Sequence, residues 1–312
     1  MTPADVFRIG TSTGNISIFR CLLKGSTLTA ALWMLGTITS FSAMAVAGRE
    51  LASDLDTFEI MLYRSIVGVL IVVAVGAATR SLHQVQTSRL GTHLIRNVAH
   101  FTGQNLWFYS VALIPLAQVF ALEFTTPIWV ILLGPLILGE RITAIRALAA
   151  ALGFVGILIV ARPDFNAISP GVITAAACAI FFALSITFTK RLTRHEEIIS
   201  ILFWLTAMQL VMGLCMAGYD GDIDLPDAAS APWLVLVGIA GLCAHFCLTK
   251  ALSIAPATVV VPIDFARLPT IAIVGMLLYA EALDAWVFVG AAVIFAGNYI
   301  NLWYESRRPA AA

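Results

Sequence analysis

Ten largely apolar stretches, each about 20 residues long, run along this chain with short loops between them. A helix of that length crosses the hydrocarbon core of a bilayer. Of the 312 residues, 60% are hydrophobic and only 12% are charged, which is too few charges for the surface of a soluble protein of this size. We therefore predict an all-α polytopic membrane protein whose ten transmembrane helices lie at roughly 27–48, 58–78, 94–113, 117–138, 143–161, 170–190, 198–218, 231–251, 257–279 and 284–304.

The basic residues fall unevenly between alternate loops. If the N-terminus is cytoplasmic, the outer loops hold only Arg49 and Arg162. The inner segments then hold Arg8, Arg20, Lys24, Arg80, Arg89, Arg141, Arg146, Lys190, Arg191, Arg194, Arg307 and Arg308. Because cytoplasmic loops of membrane proteins are rich in Lys and Arg, we predict that both termini are cytoplasmic, with tails at 1–26 and 305–312. The acidic stretch 220–227 then lies outside.

An internal repeat relates the two halves of the chain. A shift of 141 residues superimposes them without a gap from Pro115 to Gly156, and acidic Glu123 meets acidic Asp264. The identical pairs are Pro115 and Pro256, Val119 and Val260, Phe124 and Phe265, Gly134 and Gly275, Leu136 and Leu277, Glu140 and Glu281, Ala144 and Ala285, and Gly156 and Gly297. Each half holds an odd number of spans, so tandem halves must lie in opposite orientations. We predict two inverted five-helix repeats at 27–161 and 168–304, an architecture typical of secondary transporters.

Several segments carry a resemblance to a known family. They are residues 104–117 (QNLWFYSVALIPLA), 138–143 (LGERIT) and 153–156 (GFVG), and in the second copy residues 250–256 (KALSIAP), Glu281 and Gly297. The chain resembles the EamA domain of the drug/metabolite transporter superfamily over about 27–304, although Ala280 stands where that family usually has glycine. The resemblance implies a carrier of the bacterial cytoplasmic (inner) membrane that exports amino acids or related amphipathic solutes by alternating access. Uptake of a larger aromatic metabolite or cofactor precursor is the alternative, because the family contains importers.

A polar stripe runs along the predicted third helix. His100, Gln104 and Trp107 are spaced by four and three residues, which places them on one helical face together with Arg96 and Gly103. We predict that His100, Gln104 and Trp107 line the substrate pathway, whereas Arg96 could instead extend to the cytoplasmic boundary. The alternative for the whole stripe is hydrogen bonding between helices without a ligand.

Two further helices carry aromatic and polar side chains at helical spacing. The first helix has Trp33, Thr37 and Ser40 on one stripe, and the sixth has Phe181, Ser185 and Thr189. Packing is the more common role of such aromatics. We nevertheless assign Trp33 to the pathway, because Trp33 and Trp107 have polar neighbours, which favours a flat or amphipathic solute over an inorganic ion.

Charged side chains inside the predicted spans mark a coupling or gating region, to which we assign Glu123, Asp264, Arg267 and Arg64. Each costs about 2.5–3.5 kcal/mol near the bilayer centre, so each should face a cavity or a partner. Asp264 and Arg267, three residues apart, can neutralise each other. Glu123 has no basic partner in its own helix, so it is a candidate proton carrier; the alternatives are a pair with Arg64 or a hydrogen bond to a neighbouring helix. Protons are therefore the possible coupling ion.

Prolines accompany these charges in both repeats. Thr126 and Pro127 are predicted to share a face with Glu123, and Thr126 is assigned to the substrate pathway. Proline frees a backbone carbonyl one turn earlier, which is tolerated only against protein or a cavity. Pro127, and with it Pro135, Pro262 and Pro269, therefore mark helices that bend near the pseudo-symmetry axis.

Other classes of function find less support. A net charge of zero argues against a nucleic-acid partner, and no phosphate-binding glycine loop or complete protease motif occurs. Cys243 and Cys247 flank His245, but buried helix positions explain them better than a metal site does. We therefore expect no catalytic residues, cofactor or metal, and a small-molecule substrate and the lipid bilayer as partners. The alternative from another class is an intramembrane enzyme or lipid-handling scaffold, which would pair Ser110 or Ser185 with His100 or His245.

Overall fold

The computed structural model describes residues 26–138, 143–162, 169–192, 195–219, 221–254, 260 and 263–306. The α-helices in these segments are α1 (Ser26–Leu51), α2 (Thr57–Ala78), α3 (Leu90–Leu113), α4 (Leu116–Glu123), α5 (Thr126–Leu138), α6 (Ala144–Ala161), α7 (Pro170–Leu192), α8 (Ile198–Ala217), α9 (Ser230–Ile254), α10 (Arg267–Tyr279) and α11 (Ala285–Ser306). A short 3₁₀ turn, Leu82–Gln84, lies between α2 and α3. The described chain contains no strand, which confirms the all-α prediction.

Six helical stretches of the described chain are long and apolar enough to cross a membrane. They are Leu28–Leu51, Thr57–Ala78, Leu116–Gly134, Pro170–Thr189, Ile198–Ala217 and Ser230–Leu248. Three shorter apolar helices, Ala144–Val160, Arg267–Tyr279 and Ala285–Asn301, accompany them. Helix α3 is long enough but carries many polar side chains, which lower its mean hydropathy. The prediction of ten transmembrane helices therefore remains a prediction beyond these six.

The helix containing Glu123 is interrupted rather than bent at proline. Helix α4 ends at Glu123, a turn at residues 124–125 follows, and α5 begins at Thr126. This turn lies within the apolar stretch Leu116–Gly134, and the shared face of Glu123, Thr126 and Pro127 stays a prediction. Pro127 is the second residue of α5, where its missing N–H would have had no helical acceptor in any case. Pro269 occupies the equivalent first turn of α10, after a turn at residues 265–266.

The most extensive helix packing always joins one helix from each half of the chain. Helix α1 packs on α9, α3 on α7, α2 on α8 and α6 on α11. The 141-residue shift relates α1 to α7 and α3 to α9, so it exchanges the α1–α9 pair with the α3–α7 pair. It relates α2 to α8 and α6 to α11, so each of these two pairs is mapped onto itself. This is the pattern expected when a twofold pseudo-symmetry axis relates the two repeats.

Two glycines allow α6 and α11 to approach backbone to backbone. A Cβ atom added to Gly156 would lie 2.8 Å from the carbonyl oxygen of Gly290, and one added to Gly290 would lie 2.8 Å from that of Gly156. Real Cβ contacts of that length essentially do not occur. Small residues at such crossings are the usual means by which membrane helices pack closely.

Aspartates begin two of the helices. Asp56 forms a capping box with Glu59 at the start of α2. Asp227, before α9, accepts hydrogen bonds from the backbone N–H of Ser230 at 2.7 Å and from its hydroxyl at 2.8 Å. These bonds stabilise the carboxylate and lower the pKa of Asp227 below its ordinary value. Part of the acidic stretch 220–227 thus serves as a helix cap.

Candidate functional site

An arginine and two carboxylates meet where α4 ends and α10 begins. Glu123 is the last residue of α4, Arg267 is the first of α10, and Asp264 lies one turn before Arg267. Nη2 of Arg267 is 3.3 Å from Oε1 of Glu123 and 3.3 Å from Oδ2 of Asp264. The contact with Glu123 joins the two repeats. We call Glu123, Asp264 and Arg267 the repeat-interface cluster.

Aromatic rings surround the charge of Arg267. Its guanidinium carbon lies 4.7 Å from the ring centroid of Phe41, 5.0 Å from that of Phe120 and 4.9 Å from that of Phe124. Ring faces attract a cation, so they stabilise the guanidinium away from water. Phe124 also stacks on Phe265, its counterpart in the repeat, at a centroid distance of 4.4 Å. The two helix interruptions therefore meet face to face.

Glu123 is held from a third helix as well. Nε1 of buried Trp107, on α3, donates to Oε2 of Glu123 at 2.8 Å, so both carboxylate oxygens have partners. Thr126, assigned to the pathway, donates its hydroxyl to the carbonyl oxygen of Glu123 at 2.7 Å. The alternative pairing of Glu123 with Arg64 was wrong, because Arg267 from the other repeat takes that place.

A second polar region contains only basic and neutral groups. Arg64 on α2, Arg96 and His100 on α3, and His245 on α9 form what we call the basic cluster. The rings of His100 and His245 lie 6.3 Å apart, and the charges of Arg64 and Arg96 act on both. Arg64, Arg96 and His100 are all less than 10% exposed. The sequence alone does not predict that these four residues lie together.

Neutral acceptors hold the arginines of this cluster. Arg96 donates from Nε to the hydroxyl of Thr189 at 3.0 Å and from Nη1 to Oδ1 of Asn97 at 2.8 Å. Among the described residues, Arg64 reaches only the sulfur of Met61, at 3.5 Å. Within the described chain, neither arginine forms an ion pair with a carboxylate. Arg96 therefore has its hydrogen-bond partners on α3 and α7, and its extension to the cytoplasmic boundary stays an alternative.

A cavity opens beside Arg64 between α2, α8 and α9. Its polar lining residues are Arg64, Ser65, Thr206, Gln209 and His245, and the rest of the wall consists of three leucines and three glycines, Leu202, Leu205, Leu242, Gly68, Gly238 and Gly241. Nε2 of Gln209 and Nδ1 of His100 are 3.0 Å apart, which connects the cavity wall to α3. The cavity thus adjoins the predicted polar stripe.

The predicted pathway residues are distributed over both regions. His100 belongs to the basic cluster and Trp107 to the surroundings of Glu123. Gln104 lies between them on α3, buried, and its Nε2 has no acceptor among the described residues. Trp33 is half-buried on α1 and packs edge-to-face on Phe246, with ring centroids 5.8 Å apart. The role of all four in transport remains a proposal.

A third set of contacts lies at the helix ends and was missed from the sequence. Arg49, near the end of α1, forms an ion pair with Glu281, and it also donates to the carbonyl oxygens of Val111, at 2.6 Å, and Ile114. Oε2 of Glu281 accepts from the backbone N–H of Leu116 at 3.0 Å. We call these contacts the Arg49 network. They tie both repeats together at one end of the bundle.

One signal in the sequence could have revealed this network. Arg49 and Arg162 are the two basic residues that depart from the charge bias of the loops, and both are ion-paired with acids that follow α10, Glu281 and Asp284. At the end predicted to be cytoplasmic, Nε2 of His93 lies 2.7 Å from Oε2 of buried Glu196, which Ser200 also contacts. Each end of the bundle therefore has its own set of contacts between a basic and an acidic side chain.

The comparison with known protein families agrees with this two-repeat, all-helical arrangement. The EamA-like transporter family matches residues 28–162 and again residues 169–303. The chain belongs to the EamA-like transporter family. It is therefore a multi-pass membrane protein and a transporter of small metabolites, not an enzyme. The resemblance predicted from the sequence is confirmed, and the two matches correspond to the two repeats.

Curated relatives of this EamA-like transporter are named for two kinds of substrate. An S-adenosylmethionine uptake transporter of Rickettsia bellii is 28% identical over 280 residues, which are 88% of this chain and 94% of the relative. A riboflavin transporter of Brucella anthropi is 31% identical over 236 residues, 73% of this chain and 81% of the relative. A riboflavin transporter of Vibrio cholerae is 26% identical over 301 residues, 92% of this chain and 98% of the relative. These names give no support to the predicted amino-acid export.

A solved structure shares the fold of this EamA-like transporter. The two superpose with a TM-score of 0.60 at 17% sequence identity, over 89% of this chain and 98% of the solved one. At that identity the similarity concerns the arrangement of the helices alone. The orientation of the termini stays a prediction from the distribution of basic residues.

Proposed function

We propose that this transporter takes up a small metabolite with a flat heteroaromatic ring across the bacterial inner membrane by alternating access. The observation that carries the proposal is the contact between Glu123 and Arg267, which joins the two repeats where a helix of each is interrupted. Interrupted helices at the interface of repeats are the usual site of substrate and ion binding in secondary transporters.

The repeat-interface cluster can couple binding to movement. One guanidinium is shared by two acids from different repeats, so protonation of Glu123 or approach of a charged substrate weakens the contact that joins the halves. The halves can then rock relative to each other. In one state the Arg49 network is open and the His93–Glu196 contact is intact, and in the other state the network is intact and the contact is open. Opening at one end while the other end stays closed is the essence of alternating access.

Substrate class and direction are supported by the relatives and by the bundle interior. S-adenosylmethionine and riboflavin, for which the relatives are named, both join a flat heteroaromatic ring to a polar chain. Inside the bundle, Phe41, His245, His100 and Phe182 follow one another with ring centroids 5.5, 6.3 and 5.9 Å apart. Flat side chains of this kind stack on, or meet edge-on, a flat ligand.

The test is uptake of labelled riboflavin and labelled S-adenosylmethionine by cells that lack their own carriers. We expect one of the two to accumulate well above the vector control, and Glu123→Gln to abolish the difference. Leu70→Ala is the matched control, because Leu70 is 65% exposed on the lipid-facing side of α2. Loss of label from preloaded cells, with no uptake of either compound, would overturn the proposed direction, and neither uptake nor loss of either compound would overturn the substrate class.

A further inference from the structure

We propose that the basic cluster binds an anionic group of the transported metabolite, a carboxylate or a phosphate. The proposal rests on the proposed function, because it adds a charged group to the flat substrate described above. The cluster is formed from three helices, α2, α3 and α9, by Arg64, Arg96, His100 and His245. None of these helices contributes a carboxylate to it within the described chain.

The arginines have donors to spare. A guanidinium carries five N–H donors in a planar fork that matches two oxygens of a carboxylate or phosphate. Arg64 uses one of them, on a thioether sulfur at 3.5 Å, which is a weak acceptor. Arg96 uses two, both on neutral oxygens. The remaining donors of Arg64 and Arg96 have no carboxylate acceptor in the described chain, so they are available to an anion.

The contrast with Arg267 shows what such an arginine normally requires. Arg267 is equally buried, and it has two carboxylates and three aromatic ring faces around it. A buried charge without a partner is strongly unfavourable, so proteins rarely keep one that has no function. A metal or organic cation is excluded from the basic cluster by the charges of Arg64 and Arg96.

Neighbouring groups complete the site. Nε2 of Gln209 is an amide donor, so Nδ1 of His100 accepts its hydrogen bond and the neutral ring keeps its proton on Nε2, a further donor. Gln104, one turn along α3, has an unpartnered buried amide nitrogen. A Cβ atom at Gly241 would lie 3.2 Å from Nε and from Nη2 of Arg64, so the glycine keeps that side of the guanidinium open to the cavity.

The first experiment measures thermal stability of the purified full-length protein in detergent. Sodium phosphate, sodium malonate and sodium chloride are compared at equal ionic strength with wild type, Arg64→Gln and Arg96→Gln. We expect at least one of phosphate and malonate to raise the Tm of wild type by about 2 °C or more relative to chloride. In Arg64→Gln and Arg96→Gln we expect no such increase. Arg80→Gln, which removes an exposed arginine, should respond like wild type.

Stability without added anion separates a binding site from a structural one. If the cluster serves binding, Arg64→Gln removes an uncompensated charge, so its Tm in chloride should equal or exceed that of wild type. A purely structural arginine would give the opposite, a lower Tm in every salt. Arg64→Lys keeps the charge and loses the planar fork, so we expect it to keep part of the anion response.

The second experiment uses riboflavin and flavin mononucleotide, which share one ring system and differ by a phosphate. By quenching of flavin fluorescence, wild type should bind the mononucleotide about tenfold more tightly or better, and this preference should disappear in Arg64→Gln and Arg96→Gln. Anion stabilisation without binding of either flavin would support the anion site and exclude flavins as the substrate. Equal flavin affinities with no anion response would overturn the anion site and leave the proposed uptake intact.

Discussion

The repeat-interface cluster and the basic cluster both bury arginine in the bundle, but only one of them supplies the counter-charge. Arg267 lies between Glu123 and Asp264, one acid from each repeat. Arg64 and Arg96 have no acid beside them in the described chain. The difference indicates that the first cluster is a joint between the halves of the protein, whereas the second is a place for a charge brought by the substrate.

Removal of the shared arginine should have the largest effect. Arg267→Gln leaves two half-buried carboxylates without a counter-charge, which should cost about 3 kcal/mol of stability and abolish transport. The Tm and the folded yield of Arg267→Gln in detergent are compared with those of Arg64→Gln. If Arg64→Gln proves as destabilising as Arg267→Gln, the distinction between the two clusters fails.

A double substitution should recover part of that loss. Removing Asp264 or Arg267 alone leaves a charge unpaired, whereas Asp264→Asn with Arg267→Gln removes both, so the double variant should be more stable than the sum of the single losses by about 1–3 kcal/mol. Folded yield and Tm of the three variants measure the coupling. Additive losses would mean that Asp264 does not stabilise Arg267, and recovered yield without transport would assign the pair to the mechanism.

Substitution of Glu123 should affect transport more than stability. Glu123→Gln keeps the shape and the hydrogen bond from Trp107 but cannot titrate, so we expect a stability loss of about 1 kcal/mol and a loss of pH-dependent uptake. Uptake is measured across a range of external pH. Trp107→Phe is the companion variant, because it removes the N–H donor, and with it part of the buried ring system, while it keeps an aromatic side chain. Unchanged flux and pH dependence in Glu123→Gln would remove Glu123 from coupling.

The Arg49 network should give the smallest effect. Glu281→Gln weakens one ion pair at a partly exposed end, so we expect a loss of about 0.5–1 kcal/mol and a several-fold change in uptake rate. A cysteine at Gln104 reports on access, with Leu106 as control because it lies on another face of α3. In a background without native cysteines, thiol labelling at Gln104 should increase in the variant. Labelling at Gln104 that Glu281→Gln leaves unchanged would show that the network does not gate the pathway.

Parts of both clusters could be predicted from the sequence. The 141-residue shift aligned Glu123 with Asp264 and Phe124 with Phe265, and the structure brings both pairs of positions to one place. The bend at Pro127 was misplaced, because the turn at residues 124–125 precedes the proline and leaves it in the first turn of α5. Proline marks the region of an interruption, but the neighbouring backbone hydrogen bonds decide where the helix ends.

The sequence by itself determined the helical membrane class, the duplication and the polar face of α3. These properties follow from composition, from a constant shift along the chain and from helical spacing, and none of them needs a neighbouring helix. Only the tertiary structure decided which charges meet: Glu123 meets Arg267 144 residues away, and Arg49 meets Glu281 232 residues away. Such pairs depend on how helices rotate and cross, and the spacing of residues within one helix contains no information about that.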